Sequence, residues 1–230
     1  MAPVKSGKPS RSDRARQTRR RMLDGARELF VTQGYAATTM ERIADEAGVA
    51  VQTLYYSFRT KGQLLCEVVE VAAAGDEDTA PAAQRAWMQQ MLSATSGQRI
   101  LALGVEHGAD IFVRAAPLWP AVTAAAGDPH VDQYWRDVAA KRRAGQGRMV
   151  ARLADLGAMR DGLDPGRATD LVVTLFGHDV FRSLVREAGW SVSEYKAWLF
   201  TTLVQQLLQR PRLTPTTFSD LSYGPLLMKT

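Results

Sequence analysis

Apolar residues recur along this chain at helical spacing. Met22, Ala26, Leu29 and Phe30 fall at i, i+4, i+7 and i+8, on one face of a helix predicted over about 14–33. Gly34 stands where a glycine would end that helix. Thr38-Thr39-Met40-Glu41 has the form of a capping box, a hydroxyl followed three residues on by a carboxylate. It opens a short helix over Met40–Ala47 with Ile43, Ala44 and Ala47 inward. Gly48 breaks this helix, and Val51–Phe58 makes another with Leu54 and Phe58 inward. Thr60 is placed to cap a fourth, starting near Lys61 and burying Leu64, Leu65 and Val68 or Val69.

Gly75-Asp76-Glu77-Asp78 is a polar interruption and a plausible domain edge. Beyond it the pattern predicts helices at about 81–95, 98–115, 118–126, 129–157, 166–188 and 192–209. Pro81, Pro117, Pro129 and Pro165 lie near their starts, where a missing N–H costs little. No strand-like alternation of useful length and no internal repeat is present. The segment after Pro211, rich in Pro, Thr and Ser, reads as an irregular tail over 211–230. The predicted fold is all-α.

Composition bounds the function without choosing it. The 230 residues are 46% hydrophobic and 23% charged, enough for a core shared by one or two domains. No apolar run approaches the roughly 18 residues needed to cross a bilayer. The single Cys66 cannot make an internal disulfide; it reads as core packing in the fourth helix, with a redox-sensing thiol as the alternative. The N-terminus lacks the apolar stretch of a secretory signal, and no Asn is present to accept a glycan, so a reducing cytoplasm is expected.

Charge is unevenly spread. Residues 1–21 carry +7 (Lys5, Lys8, Arg11, Arg14, Arg16, Arg19, Arg20 and Arg21 against Asp13), while the other 209 residues sum to −2. A basic segment on a nearly neutral body suits a polyanionic partner through counterion release. A solvated tail over 1–14 or a transit peptide fits the same run.

The residues beyond Arg21 decide between these. Two short helices joined through Ala47-Gly48-Val49 form a helix-turn-helix, a pattern of low specificity by itself. Here the context matches much further. The stretch Arg21-Met22-Leu23-Asp24-Gly25-Ala26-Arg27-Glu28-Leu29-Phe30, then Gly34-Tyr35, Thr38-Thr39-Met40, Ile43-Ala44, Ala47-Gly48-Val49, Thr53-Leu54-Tyr55-Tyr56, Phe58 and Lys61 resembles the TetR family of transcriptional regulators. The resemblance covers about residues 15–72. It implies a DNA-binding domain there, and a helical effector-binding and dimerisation domain over about 78–210. It also implies a homodimer on a palindromic duplex operator, more naturally a repressor, released by a small molecule.

Residue roles follow from that resemblance. The recognition helix would be 51–57: Gln52 can pair with adenine, Thr53 can meet a base edge or phosphate, and Val51 can pack on a thymine methyl. Tyr55, Tyr56 and Ser57 offer hydroxyls to the backbone, unless one of the tyrosines is core. Lys61 and Thr38 or Thr39 would bind phosphate at helix starts, Thr39 serving as a cap in any case.

The last two helices would pair subunits through Leu171 and Leu175 on one face and Trp198, Leu199, Thr202 and Leu203 on the other; ordinary core is the competing reading. The effector would lie among Trp87, Met91, Leu103, His107, Ile111, Trp119, Trp135 and Phe176, with Met88, Phe112 and Asp110 nearby and Gly104 and Gly108 leaving room. These too can be plain core.

Enzyme signatures are missing: no G-x-S-x-G, H-E-x-x-H, P-loop or Rossmann fingerprint occurs, and three scattered histidines make a poor metal site. No catalytic residue, metal or cofactor is expected. The competing functions are a helical architectural DNA-binding protein without effector and, further off, a helical enzyme.

Overall fold

Helix α1, Arg11–Thr32, starts on a reciprocal cap. The Ser10 hydroxyl accepts from the Asp13 N–H, and the Asp13 carboxylate accepts from the Ser10 N–H, both at 3.1 Å. The computed structural model describes residues 10–75 and 86–209. The cap therefore starts α1 three residues earlier than hydrophobic spacing alone placed it, because Arg11–Arg14 adds no apolar face for periodicity to find. Of the expected arm, 11–14 is helical; residues 1–9 and the expected tail over 211–230 lie outside the described residues.

Five helices follow α1 closely or pack beside it: α2 (Gly34–Ala37), α3 (Met40–Ala47), α4 (Val51–Phe58), α5 (Lys61–Ala74) and, later, α8 (Trp119–Ala124). Between them come α6 (Ala86–Ser93) and α7 (Gly97–Ala115), and the chain continues through α9 (Pro129–Asp155), α10 (Pro165–Leu175), α11 (His178–Phe181), a π-helix (Arg182–Glu187) and α12 (Val192–Leu207). No strand occurs among the described residues, only an isolated bridge between Met159 and Leu208.

The chain divides into two units, and the division is not sequential. The first holds the described residues up to Ala73 together with Pro117–Trp135; the second holds the rest. The first unit's core joins Met22, Phe30, Ile43, Leu54, Phe58, Leu64 and Leu65 to Leu118, Ala121 and Val131. A boundary drawn near residue 75 thus misses a later segment that completes the first core. Cys66 is half-buried there, and burial pushes its thiol up to about 11, so it stays protonated at neutral pH.

In the second unit α7 packs against α6, α11 and α12, and α10 packs on α12. The helix predicted over 166–188 is three pieces. Phe176 ends α10 with φ −95° and ψ 46°, and Gly177 restarts the chain in extended backbone. Periodicity runs across this break because a lone glycine inside a helical pattern is tolerated. The Phe176 ring turns inward, edge-on to Phe112 at 5.6 Å, and occupies the space that a Cβ at Gly108 would need.

Candidate nucleic-acid interface

The turn between α3 and α4 is built by one residue in an unusual conformation. Gly48 has φ +62° and ψ +46°, a left-handed geometry that a side chain would strain. It lets Gly48 N–H reach Asp45 O at 3.1 Å and Val49 N–H reach Ala44 O at 3.0 Å, closing α3 while reversing the chain. The N-cap of α4 is Ala50, whose methyl cannot accept a hydrogen bond. The first amides of α4 therefore have no side-chain acceptor, in the arrangement that favours an anion.

Alternation of burial along α4 sorts its residues. Leu54 and Phe58, one turn apart, are 0% and 2% exposed and anchor the helix to the core. Gln52 and Thr53 face solvent, Val51 and Ser57 are half-buried, and the Ser57 hydroxyl donates to Thr53 O at 3.0 Å. Tyr55 is 44% exposed and Tyr56 91%. The Glu41 carboxylate is held below its ordinary range by its own backbone N–H first, then by the Thr39 hydroxyl, and Tyr55 adds a further hydrogen bond. Tyr56 is an aromatic ring displayed to water.

Two expected phosphate ligands are placed differently. Thr38 is completely buried, and its hydroxyl donates to Gly34 O at 2.8 Å and Leu29 O at 3.2 Å, so it is spent on the ends of α1 and α2. The N-cap of α3 is Thr39, exposed, accepting from Arg42 N–H at 3.3 Å; Glu41 is therefore not the third residue of a capping box. Lys61 also turns inward. Its ammonium donates to Tyr35 O at 2.7 Å and Thr38 O at 2.9 Å, closing the end of α2, and lies 4.1 Å over the Tyr35 ring. Burial lowers its pKa and the Asp128 carboxylate acts against that.

Asp128 ties the later segment into this unit. It accepts from the Tyr35 hydroxyl at 3.1 Å, and burial, with Asp128's charge second, pushes that phenol up to about 12. Gly62 makes room for it, since a Cβ there would lie inside the carboxylate. The Thr60 hydroxyl caps α5 as expected, accepting from Gln63 N–H at 3.1 Å.

Arg59 was not singled out by sequence reasoning. It closes α4 with φ +48°, the one non-glycine positive φ among the described residues, and lines a shallow surface concavity with Tyr55 and Tyr56. A basic residue directly after the recognition helix was the available signal. On α1, Arg11, Arg14, Arg20, Arg21 and Arg27 are exposed, whereas Arg19 pairs with Glu67 at 2.6 Å and lies 4.7 Å over Phe58.

The residues expected to hold an effector are divided between the two units. Trp119 and Trp135 belong to the first unit; Trp87, Met91, Leu103, His107, Ile111 and Phe176 belong to the second. Within the second, Met91, Leu103 and Phe176 are 2%, 4% and 5% exposed. The room at Gly104 is taken by the Met149 sulfur, and that at Gly108 by Phe176. His107 stacks on Trp87 at 5.2 Å, and burial lowers its pKa against the charges of Asp110 and Glu106. Asp110 is engaged by Lys196 at 2.8 Å, beside Glu106 at 2.7 Å. Of the expected pairing residues, Leu199 and Leu203 are 0% exposed within their own subunit and are core, while Leu171, Leu175, Trp198 and Thr202 remain half-exposed.

Residues 22–68 match the family model of bacterial regulatory proteins, tetR family. The chain is 40% identical over 55 residues to the uncharacterised HTH-type transcriptional regulator TtgW of Pseudomonas putida, a match spanning 24% of this chain and 41% of that protein. In fold it is similar to SmeT, the repressor of the Stenotrophomonas maltophilia multidrug efflux pump SmeDEF, seen in a triclosan complex: TM-score 0.66, 19% identity, 87% of this chain and 96% of that one. It is likewise similar to NalD, the secondary repressor of the MexAB-OprM multidrug efflux pump in Pseudomonas aeruginosa: TM-score 0.66, 17% identity, 85% and 98% covered. The helix-turn-helix built on Gly48 lies inside the matched span, so residues 22–68 form a domain of the kind found in the tetR family of bacterial regulatory proteins.

Proposed function

We propose that this chain is a ligand-responsive repressor that binds a two-fold duplex operator as a homodimer in the cytoplasm. Residues 51–57 lie in the major groove. Gln52 and Thr53 read base edges, Tyr56 contacts the sugar-phosphate backbone or a base, and the uncapped amides of α4 with Thr39 meet phosphate. Arg59 and the exposed arginines of α1 add sequence-independent affinity. The observation that carries this reading is Tyr56, 91% exposed between the buried anchors Leu54 and Phe58. A large ring held in water by a rigid helix serves no folding purpose, and it suits a contact surface.

One recognition helix reads only a few base pairs, so two copies on a palindrome are the natural solution. Leu171, Leu175, Trp198 and Thr202, half-exposed on α10 and α12, supply the pairing face. The second unit binds the effector, which releases DNA only by preferring the conformer that fits the operator poorly. SmeT in its triclosan complex is a parallel in fold. Selection from random duplexes, with sedimentation of the purified chain, tests this. The expected result is an inverted repeat bound by a dimer; enrichment of no sequence, or a monomer on a single half-site, would overturn it.

A further inference from the structure

The second unit contains a polar cluster that its own chain leaves incomplete. Tyr195 on α12 is 0% exposed, and its hydroxyl has no hydrogen-bond partner. Arg142 on α9 is half-buried, and its Nε–H is buried without a partner. The two lie close enough for each to alter the other's ionisation. Gln146, one turn from Arg142 on the same helix face, has a buried side-chain oxygen that is also unpartnered. Two buried donors near enough to feel each other's charge call for an acceptor, because a donor removed from water and left unmade costs more than a bond gained.

No side chain makes that bond, and the Gln146 oxygen, itself an acceptor, reaches neither donor. The one carboxylate whose charge acts on Arg142 is Asp179, and its oxygen contacts His178 at 3.2 Å and Arg182 at 3.7 Å at a side-chain exposure of 71%. Aromatic groups surround the cluster. The Phe181 ring stands edge-on to Tyr195 at 5.0 Å, and Trp198 lies 6.2 Å from it. His178 and Phe181 come from α11, the short piece between the break at Gly177 and the π-helix, a departure from α-geometry often found at functional positions.

We propose that the second unit takes up a small organic acid, with Arg142 and Tyr195 donating to its carboxylate and the aromatic rings receiving its apolar body. This rests on the reading of the second unit as the effector-binding part, and it names the effector's chemistry. A cationic or purely apolar ligand would leave both donors unmade and meet the charge of Arg142. A carboxylate satisfies the donors and neutralises the guanidinium, with the geometry that arginine favours.

The test is calorimetric titration of the purified full chain, without DNA, against benzoate, phenylacetate, octanoate and laurate, each beside its neutral primary amide. The expected result is saturable binding of at least one acid, with its amide at least about tenfold weaker. Arg142→Gln should weaken the same acid by a similar factor, and Tyr195→Phe by severalfold. Without ligand, Tyr195→Phe should melt at or slightly above the parent, because it removes an unmade donor; a merely structural tyrosine would melt lower. Binding of none of the acids, amides bound as tightly as acids, or an Arg142→Gln protein that binds unchanged would each overturn the proposal. An acid that binds selectively but leaves the operator complex intact would uphold it and sink the release reading instead.

Discussion

Buried polar groups are treated differently in the two units. In the first, the Thr38 hydroxyl donates to two carbonyls, the Lys61 ammonium donates to two more, and Tyr35 and Asp128 bond each other. In the second, buried side-chain atoms of Glu106, Arg142, Gln146, Arg152 and Tyr195 have no partner, and all five of the unpartnered atoms found among the described residues lie there. A unit whose described buried side-chain polar atoms are all paired holds its shape well, as a surface that must present fixed geometry to a groove requires. A unit that leaves donors and acceptors unmade gives up stability that binding can restore.

The comparison can be broken at several points. The largest effect belongs to the core that holds the reading helix: Leu54→Ala should cost about 2–5 kcal/mol and abolish DNA binding through unfolding of the first unit, as read by thermal denaturation. A paired hydroxyl deletion is sharper. Thr38→Val should cost about 1–2 kcal/mol because it strips two carbonyls of a donor. Tyr195→Phe should cost nothing. Equal losses would erase the distinction between the units.

Lys61→Met should cost about 1 kcal/mol through the opened end of α2. It should leave the slope of log affinity against log salt within about half a unit of the parent, where a phosphate ligand would shift it by roughly one. The smallest effect is in pH. Burial depresses the pKa of both His107 and His178 below 6.5, so the unfolded chain takes up protons first as pH falls. Their contribution is complete above that value and is lost as pH drops through the folded pKa values. Unfolding midpoints should therefore decline below about pH 6.5, and His107→Gln should flatten the decline.

Much of the first unit was legible because its signals are local. Leu54 and Phe58 are buried as their spacing requires, Gly48 carries the turn, and Thr60 caps α5. The errors there come from longer reach. Which of two adjacent threonines caps α3 depends on α2, a four-residue helix that periodicity cannot show. Lys61 meets carbonyls 23 and 26 residues away, so its inward turn has no trace in the motif. The second unit was read less well for a related reason. Gly104 and Gly108 do signal space on α7, but Met149 and Phe176, both distant in sequence, occupy it. The buried Tyr195 hydroxyl and its neighbour Arg142 looked like ordinary helix residues, because a missing partner is a property of the fold alone.

The central claim is that the exposed residues of α4 read duplex DNA. The most direct measurement is anisotropy titration of the full chain and of Tyr56→Ala and Gln52→Ala on the selected operator and on a scrambled duplex. Tyr56→Ala should lose about tenfold or more on the operator with its unfolding midpoint unchanged, and Gln52→Ala should narrow the gap between operator and scrambled duplex. Affinities equal to the parent for both variants on both duplexes would contradict the account.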